Sequence, residues 1–186
     1  MNKLLVLPYA IVRLIRSLRR RLKIVSLRLR GVSVHSNAMI DPAAVFELSG
    51  GKISIGARTF IDRGVILKAY GGFIQVGSDC SINAYAILHG NGGISMGEGV
   101  RVAPHAVIVS ANHIYADPDK FIYEQGESER GVTIESDVWI GAGACVLDGV
   151  VIARGSVIGA GSVVTRATKP YSVNAGVPAR QIASRK

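Results

Sequence analysis

The sequence predicts an all-β protein: a parallel β-helix with an N-terminal amphipathic α-helix and one long excursion loop. Three observations carry this. They are a six-residue period of aliphatic side chains, glycine-rich breaks in that period, and a basic opening stretch with apolar residues three or four apart. The period is clearest where Ile134, Ile140, Val146, Ile152, Ile158 and Val164 recur without a slip. Six fits neither a 3.6-residue helix nor a simple strand alternation. It fits a coil of short strands, with each six-spaced aliphatic pointing into the shaft and small residues turning the corners. A single rung cannot bury its own apolar face, so the core must come from stacking.

Residues 1–31 form the first element. Leu4, Leu7, Ile11, Ile15, Leu18, Leu22, Val25 and Leu29 make one apolar stripe, with arginines over most of the remaining circumference. Pro8 ends or kinks the first turn. The apolar run from Leu4 to Val12 is too short to span a bilayer, and basic residues follow it where a secretory signal would have its cleavage site. All nine basic residues up to Arg30 lie here without an acid, so the net charge of +9 belongs to this segment and the remainder is formally neutral. Two readings of the helix stand side by side: it caps the open end of the coil, or it rests on an anionic membrane surface. Tyr9 is its one aromatic and no reader motif follows, so no nucleic-acid partner is expected.

Residues 32–182 form the coil. Ile55, Ile61 and Leu67 share the period, then Val76, Ile82 and Leu88, then Met96, Val102 and Ile108, with small glycine-bearing insertions between the blocks. The gap from 108 to 134 is far larger. A long excursion (109–132) in a compact domain is usually functional. Two prolines, Pro170 and Pro178, mark where the coil stops, and 183–186 is a short basic tail. Cys80 and Cys145 sit within rungs without metal-type spacing, which suits reduced thiols in the cytoplasm, with the helix leaving room for peripheral attachment at the inner face of the membrane.

Of four histidines, His113 alone stands at the mouth of the long loop. Imidazole is the side chain suited to general-base work near neutral pH.

Asn112-His113, Gln125-Gly126, Ile134 to Gly141, Val157 to Thr165 and Ala175 to Arg180 together resemble the signature of hexapeptide-repeat acyltransferases. The likeness covers roughly 50–182 and is nearest to the branch that acetylates sugars and surface polysaccharides, with maltose, galactoside and xenobiotic acetyltransferases as relatives. The resemblance implies a left-handed parallel β-helix assembled as a homotrimer, using acetyl-CoA as co-substrate and no metal. It implies His113 as general base in direct transfer to a sugar hydroxyl. Trp139, Ala142, Ala160, Thr165 and Arg180 would meet the coenzyme, with Lys169, Arg166 or Arg185 assisting at its phosphates. Asn83 and Asn91 would bind the acceptor, and Tyr115, Asp117 and Gln125 are weaker candidates. Asn91 stands where relatives have an acid and Tyr85 where they have asparagine, so a different acceptor is implied. Asp148 replaces a turn proline, and no function is read into it. N-acetylation of an amino sugar or antibiotic is the rival reading; a non-catalytic scaffold is a further one. A zinc hydratase on the same coil would need three convergent histidines, and the close histidine pair it requires is absent.

Overall fold

A computed structural model describes residues 9–185. Leu4, Leu7 and the break expected at Pro8 lie outside the described residues, as does Lys186.

Helix α1 spans Tyr9–Leu29. The chain then winds six times around a three-sided shaft, laying down one short strand per side. The first side stacks Ser33–Val34, Lys52–Ile55, Phe73–Val76, Ile94–Met96, Val132–Ile134 and Val151–Ile152, all parallel. The second runs from Met39–Ile40 through Trp139–Ile140 to Val157–Ile158, and the third from Val45–Glu47 to Val163–Val164. This is the β-helix that the six-residue period predicts. Every aliphatic named for the period, from Ile55 to Val164, is essentially excluded from solvent. Each such side chain contributes about 1.5–3 kcal/mol of burial, and register places like on like: Ile61 beside Ile82, Leu67 beside Leu88, Ile134 beside Ile152.

The corners set the stack. Between the second and third sides, Gly64, Tyr85, His105, Gly143 and Gly161 all take positive φ. There the N–H of His105 donates to Ala84 and that of Gly161 to Ala142, at 3.1 and 2.8 Å, so turn rests on turn. The corner between the third and first sides is tighter still. A Cβ on Gly72 would lie 2.0 Å from the carbonyl oxygen of Asn91, so only glycine fits. That close approach aligns Tyr70 and Asn91 along one edge.

The two ends are closed in different ways. Helix α1 does cap the first coil: Ile24 and Leu27 are buried against it, Arg28 donates through Nε and Nη2 to Val34 O at 3.1 and 2.7 Å, and Arg30 donates to Phe46 O at 2.8 Å. The apolar stripe itself does not cap. Ile24 and Leu27 lie on the opposite side of the helix at 100° per residue. At the other end the coil does not stop at Pro170: Ser172–Ala175 adds another strand to the second side, and Arg180–Ser184 folds back antiparallel on it, closing the edge.

The long loop leaves after Val107–Val109 and returns at Val132–Ile134. It is ordered by an antiparallel pair at its base, Asn112–His113 with Glu127–Ser128, and by a 3₁₀ turn at Ile122–Glu124.

Candidate active site

The base of the loop puts His113 over the wall of the shaft. Strand pairing sets His113 opposite Glu127, whose Oε1 lies 3.4 Å from the imidazole Nδ1. The other carboxylate oxygen accepts from Asn91 Nδ2 at 3.5 Å. These are loose contacts, and His113 is 61% exposed on its side chain, so the pair is open to a ligand. Around it lies a groove of about 430 Å³ lined by Tyr70, His89, Asn91, Asn112, His113 and Glu127 among others.

The groove floor is built by stacking. Glu47, Lys68, His89 and Val109 are register partners on successive strands of the third side. Lys68 Nζ is 3.0 Å from Glu47 Oε2 and 5.5 Å from the Tyr70 ring centre, and Tyr70 meets the His89 ring edge-on at 5.3 Å. Hydrogen bonding to Lys68 holds the Glu47 carboxyl below its ordinary value, while burial, followed by the Lys68 charge, lowers His89. His89 therefore favours the neutral form and offers the groove a hydrogen-bonding ring rather than a charge.

Two residues fix the hairpin that carries His113. Asp148 accepts from the N–H groups of Arg130 and Gly131, both at 2.9 Å, and from Ser128 Oγ at 3.1 Å. Asp148, where the resemblance implies a proline, thus clamps the returning arm of the loop. Gln125 ties the outer loop, accepting from Asp117 N–H at 3.0 Å and donating to Asp117 O and Lys120 O at 2.9 and 3.1 Å. Its side chain is spent on the loop. Tyr115 is exposed beyond it.

The remaining expected residues lie elsewhere on the shaft. Asn83 is at the corner between the second and third sides and donates to Val102 O at 2.7 Å. Ala142 and Ala160 are exposed at that same corner, where the Ala142 carbonyl accepts from Gly161 N–H. Trp139, 55% exposed, projects from the second side between Arg101 and Val157. Arg180 shares a groove of about 190 Å³ with Arg166, Thr168 and Lys169, and Thr165 is exposed beside it. Arg185 is engaged instead by Asp137 Oδ2 at 2.9 Å and Gly155 O at 3.0 Å. Within one chain, then, Asn91 is brought to His113, while Asn83, Trp139, Ala142 and Ala160 occupy a different corner and side. Glu127 and Tyr70 are not singled out by the sequence, and His89 stands there only as one of the histidines weighed for a zinc site. For Tyr70 and His89 the available signal was spacing by one coil, as in Lys68 to His89.

Among the described residues no group of three His, Cys, Asp or Glu side chains could hold a metal ion. Burial pushes the thiols of Cys80 and Cys145 up, which disfavours the thiolate at either.

A stacked-coil shaft with a histidine–carboxylate pair at the mouth of its one long loop defines a hexapeptide-coil protein. The comparisons give the family. A model described as bacterial transferase hexapeptide (six repeats) matches residues 131–166. The galactoside O-acetyltransferase of Escherichia coli is 37% identical over 90 residues, 48% of this chain and 43% of that protein. Curated relatives are thus matched over less than half of their own length. The solved structure of a maltose O-acetyltransferase from Clostridium difficile 630 is 31% identical with a TM-score of 0.64, over 76% of this chain and 71% of that one. A single-residue mutant of AntD, an N-acyltransferase from Bacillus cereus, solved with dTDP-4-amino-4,6-dideoxyglucose and coenzyme A, superimposes with a TM-score of 0.77 at 29% identity, over 88% of this chain and 89% of that one. The chain belongs to the hexapeptide-repeat acyltransferase family.

Proposed function

We propose that the protein is an acetyl-CoA-dependent O-acetyltransferase acting on a sugar or surface-polysaccharide precursor, with His113 as general base. The observation that carries this is the His113–Glu127 pair poised above a polar groove, in a family whose named relatives are acetyltransferases.

Glu127 facing Nδ1 favours the tautomer with the proton on that nitrogen, which leaves Nε2 free as a base. The acceptor hydroxyl gives its proton to Nε2 as its oxygen attacks the thioester carbonyl. The tetrahedral intermediate collapses with rupture of the carbon–sulfur bond, and the departing thiolate takes the proton back from the imidazolium. A thioester is already activated, so the work left to the protein is alignment, one proton transfer and stabilisation of the oxyanion. Tyr70, His89 and Asn91 supply the aromatic edge and hydrogen-bonding groups that a sugar needs. Arg180 with Arg166 and Lys169 supplies the positive charge that coenzyme phosphates need.

The separation of Asn83, Trp139, Ala142 and Ala160 from His113 supports a homotrimer in which adjacent copies complete each site. The exposed tip of the loop, with Phe121 stacked on Tyr123 at 5.7 Å, supports the same assembly. A second reading, acylation of an amino sugar, is favoured by AntD, which was solved with an amino sugar nucleotide and whose superposition covers more of the chain than the maltose enzyme's does.

Calorimetric titration with acetyl-CoA tests the class. The reading predicts micromolar binding at one site per chain, weakened about tenfold or more by Arg180→Ala. Absence of binding to the folded protein would return the coil to a scaffold role. Acetyl transfer to hydroxyl sugars against their amino counterparts then separates the two acceptor readings.

A further inference from the structure

Helix α1 has two opposite faces, and only one has a partner in the chain. Ile24 and Leu27 pack on the first coil, while Ile11, Ile15, Leu18, Leu22, Val25 and Leu29 face away, each 40% to 85% exposed. Scattered exposed aliphatics need no explanation, but a continuous stripe along the whole helix marks an interaction surface. The helix contains no acid. Exposed Arg19 and Arg21 border the stripe on its two flanks, and Arg13, Arg20, Arg21 and Ser17 line a groove of about 510 Å³ between helix and coil.

The charges choose the occupant. Alternating steps of four and three along the stripe also suit a heptad seam with a second copy. That pairing would set Arg19 and Arg21 at the positions flanking the seam, with no acid on the helix to oppose them, and like charges would repel. A surface rich in phosphates over an apolar interior satisfies stripe and flanks together.

We infer that α1 docks the protein in-plane on an anionic phospholipid membrane, with the stripe entering the headgroup–acyl boundary and the flanking arginines meeting lipid phosphates. The groove holding Arg13 and Arg20 lies on the packed side of the helix, turned away from the lipid. The packed face keeps the coil attached, so the shaft stands off the membrane on the side of α1 away from lipid. The inference rests on the helix alone and is independent of the acyl-transfer reading. No helix among the described residues is long and apolar enough to cross a membrane, so this attachment is peripheral.

The test is co-sedimentation of the full chain with vesicles of phosphatidylcholine alone or mixed with phosphatidylglycerol. Wild type is expected to bind the mixed vesicles, less so at high salt, and to ignore the neutral ones. The double variant Leu18→Glu/Leu22→Glu and the double variant Arg19→Glu/Arg21→Glu should each bind at least about tenfold more weakly. All four side chains are exposed, and unchanged thermal melting would show that the fold is kept. Failure of wild type to bind anionic vesicles, or equal binding by the leucine variant, overturns the inference. Vesicle-indifferent wild type whose oligomeric mass falls on Leu18→Glu/Leu22→Glu would assign the stripe to a second copy instead.

Discussion

The His113 imidazole depends on neighbours that come from distant stretches of chain. Glu127 reaches it through the antiparallel pairing at the loop base, and Asn91 reaches Glu127 from 36 residues away. Replacing Glu127 by glutamine keeps the shape of this contact and removes its charge. On the proposed mechanism, Glu127→Gln should lower kcat by about one to two orders of magnitude while leaving the affinity for acetyl-CoA within about twofold, because an imidazolium formed at His113 would lose its counter-charge. Steady-state kinetics with calorimetry separates the two effects. A fall in coenzyme affinity with unchanged kcat would remove Glu127 from the proton-transfer step.

The elements were legible in the sequence to different degrees, for physical reasons. A rung repeats because every coil solves the same packing problem, so Ile134 to Val164 announces its geometry in the spacing alone. The loop announces itself only as an interruption. Its internal pairing was not legible, since Asn112–His113 and Glu127–Ser128 are two-residue strands with no periodic signature. The stripe of α1 was legible, but its direction was not. Periodicity gives a face, and whether that face meets protein or solvent is decided by Ile24 and Leu27, which lie outside the stripe. Asp148 was unreadable for a similar reason: a turn substitution gains its meaning only from the backbone N–H groups of Arg130 and Gly131 that fold back onto it. The tight corner gives an element-scale prediction. Gly72→Ala brings a methyl within 2.0 Å of Asn91 O and 2.2 Å of Gly90 O, both backbone atoms that cannot rotate away. The variant should lose about 2–4 kcal/mol of stability or fail to fold, as read by denaturant unfolding. Wild-type stability would show that the corners can spread apart.

At the scale of the molecule, the shaft sorts the candidate residues by corner and by end. The corner between the third and first sides carries His113, Asn91 and the Tyr70–His89 floor. The second side and its far corner carry Trp139, Asn83, Ala142 and Ala160. Helix α1 occupies one end and the Arg180 groove lies toward the other. The proposed completion of the site between copies makes a direct prediction: His113→Ala and Trp139→Ala chains, each nearly inactive alone, should recover part of the wild-type rate when refolded together. Mixed chains that stay inactive would place the whole site within one copy.

The central claim is that His113 removes the acceptor proton in acyl transfer from acetyl-CoA. The most direct measurement is release of free coenzyme thiol during turnover with a sugar acceptor, comparing wild type with His113→Ala at matched acetyl-CoA occupancy. A loss of about two to four orders of magnitude in turnover, with coenzyme binding retained, is the predicted result. Equal rates from the two proteins would contradict it and remove His113 as the base.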